Sequence, residues 1–365
     1  MIPISTYASG RVELLGNHTD YNLGVVLAAA IDRGVTVSGA KRSDDVIGLS
    51  SSMAKGRVET RLQELRPSQE HRWINYALGV VQEFVKAGHQ IHGFNAEVSG
   101  NLPIGAGLSS SAAFEVATAY FLMRLFDLEL EPLAVAKLCQ RAENEFVGVR
   151  SGLLDQVTSV FGRADHVVYL DCQNEEVRTI AFPPQFALII ADSGSEHSLV
   201  ADEYNARRDE CAAAAAALGV ASLREVTLQQ LNAARGRLDP LLFRRAMHIV
   251  GENDRVWRAI DAMSSGNAAE LGRLMKDSHK SSRMNFENST PALDALVSAA
   301  QAIPGVLGSR LTGGGFGGGT VTLVPAPDAE QFAEKLNEIY REQSGRAAGA
   351  FVCRIADGAA VRNAG

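Results

Sequence analysis

In the first half of the chain, hydrophobic residues occur in short runs that are separated by predicted turns. Runs rich in valine, isoleucine and leucine are typical of strands, and helical spacing that stops at a glycine is typical of a helix. The predicted strands cover residues 11–15, 25–38, 46–49, 94–99 and 166–171. The predicted helices cover residues 73–87 and 133–147, with one helix that follows the stretch at residues 100–113 and ends at about Phe126, and a further helix after Gly152.

The second half begins near Pro183 and Pro184 and mixes the same two kinds of element. Its predicted strands cover residues 186–193, 320–325 and 350–355. Its predicted helices cover residues 198–218, 241–263, 268–284, 291–302 and 330–343. No internal repeat and no long linker are present. We therefore predict an α+β fold of two domains, residues 1–185 and 186–365, with mixed sheets and helices in each half.

The composition narrows the class of protein and of partner. The 365 residues are 46% hydrophobic and 21% charged, which is ordinary for a soluble globular protein. The net charge is −7 and there is no basic run, so nucleic acid is not an expected partner. The longest apolar stretches, about eight residues, are too short to cross a membrane. The first residues lack the pattern of a secretory signal, and the four scattered cysteines predict reduced thiols in the cytoplasm.

A stretch rich in glycine and serine, residues 100–113, joins a predicted strand to a predicted helix. Its small residues surround Leu108; they are Gly105, Ala106, Gly107, Ser109 and Ser110. Such a loop leaves N–H groups free at a helix N-terminus, where the helix dipole favours an anion. The stretch predicts a phosphate-binding loop, with turn geometry alone as the alternative interpretation. It contains no lysine and is not a Walker A motif, so a metal ion is the expected source of positive charge.

A second glycine cluster, TGGGFGGG at residues 312–319, directly precedes a predicted strand. Its six glycines surround Phe316 and would let the backbone approach another group closely. The alternative is a hairpin turn. A turn needs fewer glycines, and each additional one costs chain entropy, so the cluster indicates a functional loop.

Polar residues gather at the end of the first predicted strand, within residues 10–24. They are Arg11, Asn17, His18, Asp20, Tyr21 and Asn22. Several donors and acceptors at one strand end suit a polyhydroxylated ligand, because each hydroxyl group needs a partner. The alternative is a turn in which Asn17, Asp20 and Asn22 bond the local backbone. His18 and His197 lack zinc spacing to a second histidine, so a structural or substrate-contacting role is expected for them.

Two carboxylates stand out in the first half of the chain. Glu143 lines up with Ala136, Cys139 and Phe146 on the apolar face of its predicted helix. A carboxylate on such a face needs a partner, and a metal ion would serve. Asp155 follows a glycine and lies among apolar residues, where a charge favoured by the helix dipole is the alternative interpretation.

Taken together, these stretches resemble the galactokinase branch of the GHMP kinase family over nearly the whole chain. GRVELLGNHTDYNLGVVL resembles the galactokinase signature, LPIGAGLSSSAA the ATP-phosphate motif, and TGGGFGGGTV the C-terminal glycine motif. Three further segments occur in the family order: WINYALGVVQEF, SGLLDQ and DSGSEHSLVADEYNARRDEC. The resemblance implies a two-domain GHMP kinase fold whose active site lies between the halves.

The resemblance also implies an activity, an ATP-dependent sugar 1-kinase with Mg²⁺ as cofactor and galactose as the expected sugar. It implies that Asp155 faces the anomeric hydroxyl and that Arg11 stabilises the developing alkoxide, with Mg²⁺ held by Ser110 and Glu143. The implied sugar contacts are Asn17, His18, Asp20, Gly152 and Tyr204. The implied ATP contacts are Gly105, Ala106, Gly107, Leu108, Ser109, Ser110 and Ser111.

The chain departs from the family pattern in ways that leave the sugar open. Asn17 replaces a glutamate, Glu13 an asparagine, Asn144 a histidine, and Gly319 a cysteine. The family's glutamate accepts the sugar's 6-hydroxyl. A neutral amide at position 17 would bind that hydroxyl more weakly and would also tolerate the carboxylate of galacturonate, which leaves galactokinase and galacturonokinase as alternatives.

Two other classes of function are weaker alternatives. A non-catalytic sugar sensor would be favoured by loss of Asp155, Arg11 or the serine loop, and all of these are present. A nucleotide-cofactor oxidoreductase would need the pattern GxGxxG, but Ser110 stands where its last glycine is required.

Overall fold

Two β-sheets, one of eight strands and one of four, form the frame of the protein. The computed structural model describes residues 4–52, 56–103, 105–195 and 200–362. The strands are β1 (Ile4–Leu15), β2 (Val25–Lys41), β3 (Val46–Ser51), β4 (Arg57–Arg61), β5 (Phe94–Gly100), β6 (His166–Asp171), β7 (Glu176–Ala181), β8 (Phe186–Asp192), β9 (Gly308–Leu311), β10 (Gly319–Pro325), β11 (Phe351–Cys353) and β12 (Ala360–Arg362). The α-helices are α1 (Asn75–Lys86), α2 (Ser110–Phe126), α3 (Pro132–Arg141), α4 (Leu154–Phe161), α5 (Val200–Leu218), α6 (Leu228–Ala233), α7 (Pro240–Ser264), α8 (Ala268–Ser281), α9 (Pro291–Gln301) and α10 (Ala329–Ser344).

The larger sheet is organised around the long strand β2. Its order is β12–β1–β2–β5–β3–β4, and β6 with β7 extends it from the first residues of β2. Strands β3 and β5 run parallel, and the other paired strands run antiparallel. The start of β2, VVLAAAI, is fully buried, as expected for a central strand that is covered on both faces.

Strand β1 is irregular at two places. Its register with β2 shifts between Ser9 and Arg11 and again between Glu13 and Leu15. Irregularities of this kind re-aim side chains and are frequent beside active sites. Between the shifts, Arg11 and Glu13 are two residues apart, so their side chains project from the same face of the strand.

The smaller sheet and the helices complete the second half. Its order is β11–β8–β10–β9, with antiparallel pairs throughout. Helices α9 and α10 contribute Leu296, Leu336 and Tyr340 to the apolar cluster on this sheet. A separate cluster joins α5, α6 and α7. In the described part of the chain, no helix is long and apolar enough to cross a membrane.

Sheets and helices in both halves confirm the predicted α+β class, but two predicted helices change type before they end. The helix predicted at residues 133–147 is α-helical to Arg141 and continues as a π-helix, Ala142–Val147. The helix predicted at residues 268–284 likewise continues as a π-helix, Ser282–Phe286. Apolar spacing does not distinguish one wide turn from an α-turn. Such turns often mark functional sites.

Short or polar strands have no counterpart among the predicted elements. They are β4, β7, β9 and β12, which are too short or too polar to give a clear apolar signal. Strand β12 pairs with β1, so the chain returns to the larger sheet. The other strands divide between the sheets near residue 185. The domain boundary itself stays a prediction, and the predicted helix start at Ser198 lies outside the described residues.

Candidate active site

Arg11 and Asp155 form a bidentate ion pair. Arg11 Nε lies 2.7 Å from Asp155 Oδ1, and Arg11 Nη2 lies 2.9 Å from Asp155 Oδ2. Arg11 Nη1 donates to the Gly107 carbonyl at 2.6 Å, and the Ser109 hydroxyl donates to Asp155. The planar guanidinium fork suits such parallel contacts. The structure therefore brings the two predicted catalytic residues together and ties them to the first glycine loop.

Two adjoining cavities meet at this ion pair. The smaller has a volume of about 180 Å³ and the larger about 560 Å³, and both are lined by Arg11, Asp155 and Gly314. The smaller cavity is also lined by Asn17, His18, Asp20, Gly152 and Tyr204, the predicted sugar contacts. The larger is lined by Gly105, Gly107, Leu108, Ser109, Ser110 and Ser111. Ala106, the remaining predicted ATP contact, is buried. Asp155 thus lies where a small polar ligand and a phosphate-bearing ligand would meet.

The first glycine loop leaves the N-terminus of α2 open to the larger cavity. Gly105, Gly107 and Ser109 have φ values of 83°, 72° and 56°, which turn the chain into the helix. Ser109 holds the N-cap position, but its hydroxyl donates to Asp155 and does not cap the helix. The first N–H groups of α2 therefore remain available to an anion, which the helix dipole also favours.

The second glycine cluster lies against the first and supports the smaller cavity. A side chain at Gly318 would come within 3.3 Å of the Gly107 nitrogen, and one at Gly315 would overlap the Asn288 carbonyl. The carbonyl of Gly313 accepts a hydrogen bond from Asn17 at 2.7 Å. Close packing of backbone on both sides is the physical reason for glycine at these positions.

His18 supports the smaller cavity through both ring nitrogens. Nε2 lies 2.8 Å from the Gly314 carbonyl and Nδ1 lies 2.7 Å from the Tyr21 hydroxyl, so Nε2 donates and Nδ1 accepts. Burial lowers the pKa of His18 to about 4, which keeps the ring neutral. The ring also packs against Tyr204, with centroids 4.9 Å apart. His197 lies outside the described residues.

Asp20 is positioned by close contact with Gly152. A side chain at position 152 would overlap the Asp20 carboxylate, so only glycine fits there. The Tyr21 N–H donates to Asp20 Oδ1 at 2.9 Å. Burial, and after it the charge of Asp155, raises the pKa of Asp20 to about 7. Asp20 therefore changes charge near neutral pH, inside the cavity where hydroxyl groups are expected.

Glu143 is buried on the π-helical turn, next to a second buried carboxylate. The Ser151 hydroxyl and Gln156 Nε2 both donate to Glu143 Oε2, the latter at 3.1 Å. Gln156 Nε2 also donates to Glu115 Oε2 at 3.1 Å. Burial raises the pKa of both Glu143 and Glu115. The charge of Asp155 adds to this at Glu143, and at Glu115 the charge of Glu143 adds more than that of Asp155. Two carboxylates therefore share one amide in a site of low polarity.

The donor set around Glu143 fits a divalent cation. The Glu143 carboxylate lines the smaller cavity, and among the described residues it receives neutral donors, the Ser111 and Ser151 hydroxyls and the Gln156 amide. Oxygen ligands are those that Mg²⁺ prefers. Within the same residues, no group of three or more histidine, cysteine or acidic side chains gathers as a metal site.

The serine that contacts Glu143 is not the predicted metal ligand Ser110 but its neighbour Ser111. Ser111 hydrogen bonds to Glu143, whereas Ser110 is exposed at the start of α2 and lines the larger cavity. Ser110 and Glu143 therefore stay a prediction as a ligand pair, and Ser111 is a further oxygen donor beside Glu143.

Some cavity residues have only a weak signal in the sequence. Tyr76 and Pro103 line the larger cavity, and Val149 lines the smaller one. The apolar spacing around Tyr76 indicates core packing alone. Glu13 also lines the smaller cavity, and its only signal is its departure from the family pattern.

Comparisons with known families match three parts of the chain. Residues 3–41 match the galactokinase galactose-binding signature, residues 75–163 the GHMP kinases N terminal domain, and residues 259–342 the GHMP kinases C terminal family. A galactokinase of Roseiflexus sp. (strain RS-1) is 42% identical over 356 residues, which cover 96% of this chain and 91% of that protein. A galactokinase of Homo sapiens is 41% identical over 366 residues, which cover 98% of this chain and 92% of that protein.

Solved structures are similar over the same length. Lactococcus lactis galactokinase complexed with galactose has a TM-score of 0.94 and 32% identity, covering 98% of this chain and 95% of that chain. A mevalonate kinase has a TM-score of 0.66 and 19% identity, covering 98% of this chain and 100% of that chain, which shows a shared fold.

Proposed function

Because the chain belongs to the galactokinase family of the GHMP kinases, we propose that it transfers the γ-phosphoryl group of ATP to the anomeric hydroxyl of D-galactose. The observation that carries this proposal is the meeting of the two cavities at Arg11 and Asp155. A sugar in the smaller cavity and ATP phosphates in the larger one would place the acceptor hydroxyl and the phosphoryl group beside the same carboxylate.

Asp155 and Arg11 are proposed to act on the acceptor hydroxyl. Asp155 would accept its proton, because one carboxylate oxygen remains able to take a further hydrogen bond. The Arg11 fork holds this carboxylate in one orientation and would stabilise the alkoxide as charge develops. Ser109 fixes the same carboxylate from the phosphate side.

The two ligands are proposed to be held by different kinds of group. Asp20, the Gly152 backbone and Tyr204 would bind sugar hydroxyls, with Asn17 and His18 behind them. The ATP phosphates would lie at the N-terminus of α2, where free N–H groups stabilise the charge of the transferring phosphoryl group.

Mg²⁺ is proposed to be held by Ser110 and Glu143, with Ser111 close by. When bound, it supplies positive charge to the ATP phosphates, which the first glycine loop lacks because it has no lysine. Localisation in the cytoplasm stays a prediction from the scattered thiols.

The test is a screen of ATP consumption over galactose, galacturonate, galactosamine, N-acetylgalactosamine, arabinose, fucose and glucose. We expect galactose to give the highest kcat/KM, and phosphorus NMR to show a 1-phosphate product. ADP release without sugar is the background control. Galacturonate as the best substrate would make the protein a galacturonokinase. Galactose binding without ATP consumption would make it a sensor.

A further inference from the structure

Asn17 has little hydrogen-bonding capacity left for a sugar. Its side chain is 0% exposed. Asn17 Nδ2 donates to the Gly313 carbonyl at 2.7 Å and to Glu13 Oε2 at 3.3 Å, and Asn17 Oδ1 accepts from Asn288 Nδ2 at 2.8 Å. The reversed amide would set its oxygen against two acceptors, so these contacts fix the orientation. Of the two donors and two lone pairs of an amide, one lone pair remains.

Glu13 lies beside Asn17, lines the same cavity and keeps free capacity. Its Oε2 accepts from Asn17, and its Oε1 accepts from Arg310 Nη1 at 3.0 Å. A carboxylate accepts about four hydrogen bonds, so roughly two remain for a ligand. Glu13 is on the same face of β1 as Arg11 and about 7 Å further along the strand. A strong acceptor therefore stands at a short distance from the catalytic pair.

The charge balance around Glu13 favours a neutral ligand group. Arg310 is fully buried behind Glu13 and also donates to the Leu14 carbonyl at 2.8 Å. Among the described residues that line the smaller cavity, Glu13 is present and Arg310 is not. The pKa of Glu13 is raised overall, because burial, together with the charge of Glu252, outweighs the lowering by Arg310 and Arg11, so this end of the cavity disfavours further negative charge. A group that enters the cavity meets the carboxylate before it meets the compensating arginine.

We infer that Glu13 is the specificity-determining residue at the end of the cavity where the sugar's 6-position is expected, and that it selects a hydroxyl over a carboxylate there. This inference rests on the proposed function and names the group behind its sugar preference. A hydroxyl can donate to Glu13, whereas a uronate carboxylate cannot donate and is repelled. Asn17 is then a positioning residue, which holds Glu13 with one N–H and the second glycine cluster with the other.

This inference removes the basis for expecting galacturonate from Asn17 alone. That expectation needs a neutral amide to face the sugar. In the structure the amide is occupied by protein groups, and a carboxylate lies 3.3 Å from its nitrogen. The carboxyl group that is absent at position 17 is thus present at position 13.

The test compares galactose with galacturonate on the parent, on Glu13→Gln and on Asn17→Ala. Dissociation constants come from calorimetry without nucleotide, and kcat/KM comes from assays with Mg·ATP. Glu13→Gln should lower the preference for galactose by about 10- to 100-fold, because a charge-assisted bond and a repulsion are both removed. Asn17→Ala should weaken both sugars and keep galactose preferred. Glu59→Gln is the control, since Glu59 is an exposed carboxylate in an ion pair with Arg57.

Several outcomes would overturn the inference. A parent that prefers galacturonate is one. Equal weakening of both sugars by Glu13→Gln, with a lower melting temperature, is another, because Glu13 would then be only a partner of Arg310. If the glutamine variant does not fold, Glu13→Asp should still prefer galactose, and loss of its preference would count against the inference. A parent that binds galactose but transfers no phosphoryl group contradicts the proposed function and leaves the binding test of Glu13 intact.

Discussion

Asp155 and Glu143 are both carboxylates of the same site, but their charges are balanced differently. Asp155 is 27% exposed and receives two N–H groups from Arg11 and a hydroxyl from Ser109. Glu143 is buried and receives neutral donors, two hydroxyls and an amide. The Gln156 amide that donates to Glu143 also donates to a second carboxylate, Glu115.

The difference is consistent with the proposal that the Glu143 end of the site takes its positive charge from a cation in solution. A buried charge without a partner costs more free energy than neutral hydrogen bonds return. Arg11 supplies the partner permanently at Asp155, so geometry there is fixed before ligands arrive. At Glu143 the described donors are neutral, which suits the proposed cation that arrives with the nucleotide.

The largest effect is expected at Asp155, whose charge is balanced by Arg11. Asp155→Asn should lower kcat by about 100-fold or more, because an amide keeps the shape but cannot accept the hydroxyl proton. Nucleotide binding should stay close to that of the parent, while the melting temperature should fall somewhat, because Arg11 is buried and loses its charged partner. Steady-state kinetics and thermal melts check this. Turnover equal to the parent would reduce Asp155 to a charge at a helix start.

The next largest effect is expected at Glu143, whose donors among the described residues are neutral. Glu143→Ala should raise the KM for Mg·ATP by about 10-fold or more, with a much smaller change in sugar binding. Glu145→Ala is the matched control, because Glu145 is on the same turn but is exposed and paired with Lys86. Titrations with Mg·ATP and with galactose separate the two ligands. Equal weakening of both, with a lower melting temperature, would make Glu143 structural.

Asp20 allows the sugar-binding part of the site to be tested through its dependence on pH. Its pKa is raised to about 7, so the carboxylate is mostly protonated at pH 6 and mostly ionised at pH 8. An ionised Asp20 accepts bonds from sugar hydroxyls, so the KM for galactose should fall by roughly 10-fold across this range. Asp20→Asn should remove that pH dependence. A parent KM that is flat between pH 6 and pH 8 would contradict the prediction.

The smallest effect is expected at Glu115. It is buried with its pKa raised well above the usual value, so a neutral amide of the same shape should replace it with little loss. Glu115→Gln should therefore keep kcat and the KM for Mg·ATP within about threefold of the parent, with an equal or higher melting temperature. A loss of Mg·ATP affinity as large as that of Glu143→Ala would make Glu115 part of the cation site.

Helices and strands that follow from a local pattern of residues could be predicted from the sequence. The buried run of β2 and the start of α3 at Pro132 follow from apolar continuity and from proline's preference for the first helical turn. The π-helical turn that carries Glu143 was not predictable, because one wide turn leaves the apolar spacing almost unchanged. The pairing of β12 with β1 joins residues from opposite ends of the chain, which no local pattern encodes.

The candidate site shows the same difference between features that the local sequence determines and features that only the fold determines. Motifs were sufficient to name many of the residues that line both cavities, but not Glu13, Tyr76 and Val149, whose local sequence carries little signal. They were not sufficient to say which atoms face the sugar. Asn17 is occupied by Gly313 and Asn288, which are distant in sequence, so its role depends on contacts that only the fold creates.

The pairing of β12 with β1 also bears on how the protein is made. Strand β1 leaves the ribosome early, and its outer edge stays open until residues 360–362 follow. At about 5–20 residues per second this wait lasts on the order of tens of seconds. An open edge can pair with a neighbouring nascent chain, so this interval carries a risk of aggregation. Deleting residues 360–362 would keep the edge open permanently, and we expect such a chain to aggregate even though its catalytic residues are all present.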